Sequence, residues 1–110
     1  MIMTSQETDQ GTNQGMLTLT APKTIEESLV DFFLDSDHHY GFTSIPVRGH
    51  TSDHSGMSMI EQVTGRQEQV QFQILVDEAQ AREICLRLEV MFSGAGIHFW
   101  FLTASLEGRI

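Results

Sequence analysis

Gln69-Val70-Gln71-Phe72-Gln73-Ile74-Leu75-Val76 places Val70, Phe72, Ile74 and Val76 on one face of an extended chain and Gln69, Gln71 and Gln73 on the other. A period of two marks a half-buried strand, and this is the cleanest one in the chain. Asp77 then opens a helix, with Gln80 three residues on in the reciprocal capping place. Ala81, Ile84, Cys85, Leu88 and Met91 form its apolar stripe, and Gly94-Ala95-Gly96 stops it. Ile97–Thr103, Ile-His-Phe-Trp-Phe-Leu-Thr, reads as a final strand, followed by the short tail Ala104–Ile110.

Toward the N-terminus the pattern repeats. Gly41–Arg48 is a strand with Phe42, Ile45 and Val47 as its apolar residues; Pro46, lacking an N–H, argues for a sheet edge or a place where no donor is needed. Before it, Ile25, Leu29, Phe32 and Phe33 recur at one helical face, with Thr24 and Glu27 placed as a capping box. Met16–Thr20 alternates as a first short strand, ended by Ala21-Pro22. Met1–Gly15 holds mostly Gln, Thr, Gly and acid, too little apolar surface to offset its ordering entropy, and is expected to be a disordered tail. The folded unit is then 16–110. Its order, β-α-β-β-α-β, is the ferredoxin-like α+β arrangement: a four-stranded antiparallel sheet with two helices on one face.

Composition narrows the function classes. Fifteen Asp and Glu against six Lys and Arg give a net charge of -9 over 110 residues. That balance argues against nucleic acid, whose phosphates must be neutralised by basic side chains, and against an anionic membrane surface. No apolar run is long enough to span a bilayer, so direct membrane insertion is not expected. Cys85 is the only cysteine, which excludes an intrachain disulfide and a multi-cysteine zinc site and fits a reducing cytoplasm. Met1–Gly15 has neither the basic start nor the apolar stretch of a signal peptide.

Two helices cover one side of a four-stranded sheet, so the other side of a monomer should be polar. The last strand contradicts this: Ile97, Phe99 and Phe101 lie on one face, and His98, Trp100 and Leu102 on the other. Either the C-terminal tail folds back over the second face, or copies of the chain meet there; the rarity of large exposed apolar patches favours a homo-oligomer. His98, Trp100 and Leu102 are the candidate interface residues.

The segment 49–67, long for a connection within a compact domain, is the candidate recognition element. His50 and His54 stand four apart with Asp53 between them and Met57 and Met59 beyond. Imidazole suits Zn, Cu or Ni, and thioether leans to Cu(I), so His50 and His54 are candidate ligands of a transition metal (Cu, Zn, Ni or Co); a solvated polar loop is the alternative. Arg48 and Arg66 flank the loop, and with Gln67 they form a candidate partner-binding set for an anion or acidic partner. Charge pairing of Arg66 with Glu61 or Glu68 is an equal alternative. His38 and His39 sit where a cationic ring suits a helix C-terminus. There is no nucleophile elbow, dinucleotide fingerprint or phosphate loop, and Lys23 is the only lysine, so no catalytic residue is assigned.

Particular segments carry a family resemblance. Tyr40-Gly41-Phe42-Thr43-Ser44, Glu61-Gln62-Val63-Thr64-Gly65-Arg66-Gln67, Gly94-Ala95-Gly96-Ile97-His98-Phe99-Trp100 and Glu107-Gly108-Arg109-Ile110 resemble a small bacterial PII-like family, related to the nitrogen regulatory PII proteins and CutA. Its members are often encoded beside heavy-metal efflux pumps. The resemblance implies a homotrimer with inward-facing sheets, and a loop over 49–67 that plays the part of the PII T-loop in engaging a transporter or efflux pump. Gly65-Arg66-Gln67 is similar to a Gly-Arg-Gln triplet of the PII loop, but Glu68 follows where PII has lysine. The glycine- and lysine-rich phosphate-contacting segment of PII has no counterpart, so no ATP or ADP residues are carried over.

The leading expectation is a cytoplasmic PII-like regulatory protein without catalysis. Two others stand beside it: a small ferredoxin-like enzyme with His98 and Trp100 in a cavity above the sheet, and a passive metal-binding protein.

Overall fold

The computed structural model describes residues 14–35, 40–50 and 67–110. β1 is Gln14–Pro22; a 3-10 turn, Lys23–Ile25, leads into α1 at Glu26–Leu34; β2 is Phe42–Gly49. β3, Gln67–Asp77, passes with no intervening residue into α2, Glu78–Met91, and β4 is His98–Thr103. The sheet order is β2-β3-β1-β4, antiparallel throughout. This is the ferredoxin-like α+β fold that the strand and helix order predicts, and Pro46 lies in an edge strand, where its missing donor costs no ladder bond.

The alternation in β3 decides the core. Val70, Phe72, Ile74 and Val76 are buried, opposite Ala21, Leu19, Leu17 and Gly15 of β1. Leu29, Phe32 and Phe33 of α1 and Ala81, Ile84 and Leu88 of α2 close the same side. The Phe33 ring lies 5.7 Å from Phe72 and 5.2 Å from Phe42, and Phe32 meets Phe33 edge-on at 5.1 Å. Each such ring contributes about 1.5–3 kcal/mol on leaving water, before the cost of ordering it.

Every strand differs from expectation by one or two residues at an end, and three departures have a local reason. β1 begins at Gln14 rather than Met16: the Ala104 N–H donates to the Gln14 carbonyl at 2.9 Å, and Gly15 lets the strand press against Phe101 and Leu102. Thr24 caps nothing. It lies inside the 3-10 turn, and α1 starts two residues later with no side-chain cap. Met91 is exposed although it completes the helical period; Phe92 one residue on takes the core contact, with its ring 6.1 Å from Phe32. The α2 start is as expected: the Asp77 carboxylate accepts the Gln80 N–H at 2.7 Å, and the Gln80 side chain accepts the Asp77 N–H at 3.0 Å. Gly94 and Gly96, with φ of 77° and 87°, make the left-handed turns that bring the chain back into β4.

Candidate functional site

The registers put the other face of the sheet in order. Thr43, Gln73, Thr18 and Trp100 form one row across the four strands, and Ile45, Gln71, Thr20 and His98 the next. Leu75, Met16 and Leu102 make a third row at one end. These eleven side chains include no Asp, Glu, Lys or Arg. The middle of the face is hydrogen-bonding and neutral: Gln73 Nε2 donates to Gln71 Oε1 at 3.3 Å, and Thr18 is buried beneath its neighbours. Its margins are apolar and open, with Leu102 64%, Leu75 45% and Trp100 36% exposed. His98 and Trp100, two apart on β4, meet edge-on at 5.3 Å. The three candidate interface residues thus share one surface.

The tail does not cover this surface. Leu106 is 92% exposed, and Ile110 is fully exposed. Neither side chain is thus buried on the face, and the tail borders it at the Met16–Leu75–Leu102 corner.

At the far edge, β2 and β3 pair through Arg48–Glu68 and finally Gly49–Gln67. This rung holds the two ends of the long connection side by side. The Gln69 side-chain amide lies over Gly49, where a Cβ would meet its Oε1 at 2.5 Å. Arg48 and His50 are exposed and Gln67 is half-buried. His54 and Arg66, with Asp53, Met57, Met59, Glu61 and Gly65, lie outside the described residues, as do His38 and His39. Of the candidate metal pair only His50 is described, and among the described residues no three His, Cys, Asp or Glu side chains are grouped to hold a metal.

Two cavities stand out, and neither is lined by His98 or Trp100. One of about 870 Å³ lies on the helix side between α2 and β4, walled by Cys85, Leu86, Phe92, Phe99 and Phe101. The other, about 610 Å³, lies at the Met16–Leu75–Leu102 corner of the open face, where Thr103, Ala104, Leu106, Glu107 and Gly108 complete its wall. Burial pushes the Cys85 thiol pKa up, which keeps it protonated and weakens it as a nucleophile. Burial first, and then the Glu83 carboxylate, push the Tyr40 phenol up in the same way. Neither cavity was foreseeable from periodicity: the first depends on how α2 packs beside β4, and the second joins Met16, Leu75 and Leu102 from segments far apart in sequence. The apolar corner left one legible signal, Leu75 standing among the glutamines of β3.

A family model described as "Protein of unknown function (DUF3240)" matches residues 11–110. A crystal structure of a DUF3240 family protein from Shewanella baltica superposes with a TM-score of 0.71 at 18% identity, covering 89% of this chain and 97% of that one. A proposed PII-like signaling protein from Thermus thermophilus superposes with a TM-score of 0.56 at 23% identity, over 83% of this chain and 86% of that one. No curated protein matches the chain in sequence. What the chain shares with both structures is the ferredoxin-like fold.

Proposed function

The chain belongs to the DUF3240 family, and on that footing we propose that it is a PII-like regulatory protein that binds its partner through the connection between β2 and β3. The observation that carries the reading is the Gly49–Gln67 rung, which gathers both ends of a long polar connection at one point of a sheet edge. Such a hairpin offers a partner a recognition surface without disturbing the core. The neutral open face supplies the second part: copies meet through His98, Trp100 and Leu102 as a homotrimer. Three connections around one axis engage a multimeric target with higher avidity than one. The target class is a membrane transporter or metal efflux system at its cytoplasmic side, and His50 with His54 makes the response depend on Cu, Zn, Ni or Co. Binding, not catalysis, is the proposed activity, with a transition metal preferred over ATP or ADP as the ligand.

The test is a titration of Cu(I), Zn, Ni and Co, with ATP and ADP as comparisons, on protein of measured mass, beside His50→Ala/His54→Ala. Saturable metal binding that the double variant weakens at least about tenfold supports the reading. Unchanged affinity removes the metal clause, and a monomer at micromolar concentration removes the assembly.

A further inference from the structure

We infer that the C-terminal segment of one copy seats Leu106 in the apolar corner, Met16–Leu75–Leu102, of a second copy's open sheet face. This rests on the reading that copies meet through that face. Three observations point to the second copy as the occupant. First, Met16 stands directly opposite both Leu75 and Leu102 in register, so the corner is a continuous strip across three strands with a cavity of about 610 Å³ above it. Second, Leu106 lines the edge of that cavity yet is 92% exposed, and Ile110 beyond it is fully exposed; each chain therefore carries both an apolar hollow and an unburied apolar side chain beside it. Third, charge selects the visitor. On a chain of net charge -9, two copies repel least where charge is sparse: the sheet side chains of this corner, Met16, Leu75 and Leu102, carry none, and Glu107 of the tail is the one charged residue that lines it. The segment itself carries Glu107 and Arg109, one of each sign, so bringing it onto a neighbour adds no net charge. A basic partner would find its counter-charges elsewhere, on the acidic helices.

The exchange gives the tail a role the isolated chain does not show. Leu106 leaves water only on assembly, so it contributes to association and not to the stability of the single copy.

The experiment uses the full chain with Cys85→Ser as background, and two variants mixed in equal amounts: Leu75→Cys and Leu106→Cys. After oxidation, a 75–106 disulfide joining the two different chains, identified by peptide mass, is the expected result. The double variant Leu75→Cys/Leu106→Cys is oxidised alongside: a 75–106 bond that forms within its single chain but never between the two single variants, while the mass in solution remains oligomeric, overturns the exchange and leaves the oligomer standing. Monomers without cross-links overturn both. In parallel, Leu106→Asp is expected to weaken self-association at least about tenfold with an unchanged melting profile of the dilute monomer. An unchanged association constant, or loss of binding to another protein with no change of mass, overturns the inference.

Discussion

Trp100 stands directly opposite Thr18 across the β1–β4 pair; Thr18 is 6% exposed, while Trp100 keeps 36% of its surface open to solvent. The indole roofs a buried hydroxyl and still offers area to a neighbour. Trp100→Asp is therefore expected to abolish self-association, at a cost of about 2 kcal/mol or more per contact, without unfolding the chain. Sedimentation equilibrium on wild type and variant, with far-ultraviolet circular dichroism as the folding control, checks both halves. An oligomer that survives the substitution would place the interface elsewhere.

Gly15 of β1 leaves no room for a side chain. A Cβ there would collide with the Leu102 carbonyl oxygen and approach the Phe101 ring to 2.6 Å. Gly15→Ala should lose about 1–3 kcal/mol in urea unfolding, because neighbouring backbone has no rotamer by which to yield. Gly41→Ala, with nothing within 4 Å of its added carbon, serves as the matched control and is expected to change stability by less than about 0.5 kcal/mol.

The Asp77–Gln80 box closes the start of α2 in both directions. Asp77→Ala removes the acceptor of the Gln80 N–H and should cost about 1 kcal/mol. The Gln80 side chain keeps its donor, the backbone N–H of residue 77, but the two bonds close one turn and steady each other, so Asp77→Ala/Gln80→Ala should cost less than the sum of the single variants, which a double-mutant cycle in urea reads directly.

Cys85 and Tyr40 set an alkaline limit. In both, the folded chain holds the acid form more strongly than the unfolded chain does, so the unfolded state releases its protons first as pH rises. Stability from this source is complete below the unfolded thiol value of about 8.5 and declines as pH climbs through the interval up to the folded values. The Cys85 thiol should accordingly react with iodoacetamide more slowly than a free thiol at pH 8, and Cys85→Ser should flatten the thiol's share of the alkaline decline. Equal alkylation rates would show that the thiol is not shielded.

What was legible in the chain follows from how far each determinant reaches. Val70, Phe72, Ile74 and Val76 announce β3 by local alternation, and Asp77 with Gln80 announces α2 by a three-residue spacing. Thr24 and Glu27 carry the same spacing and mislead, because Pro22 and a 3-10 turn shift the start of α1 past them, a competition that no spacing rule weighs. Of the candidate sites, His98, Trp100 and Leu102 were readable as one face of one strand. Their company was not: Thr18, Gln73 and Leu75 join them only through a register between segments more than fifty residues apart.

β3 runs straight into α2, and between Gln67 and Met91 every residue belongs to a strand of eleven or a helix of fourteen. Its one change of direction, at Asp77, is closed in both directions by the box with Gln80, and the next turns are those of Gly94 and Gly96, just before the strand that bears His98 and Trp100. The chain thus passes from the edge hairpin to the uncharged face through two regular elements and one glycine turn, so the two surfaces share a single continuous path of backbone.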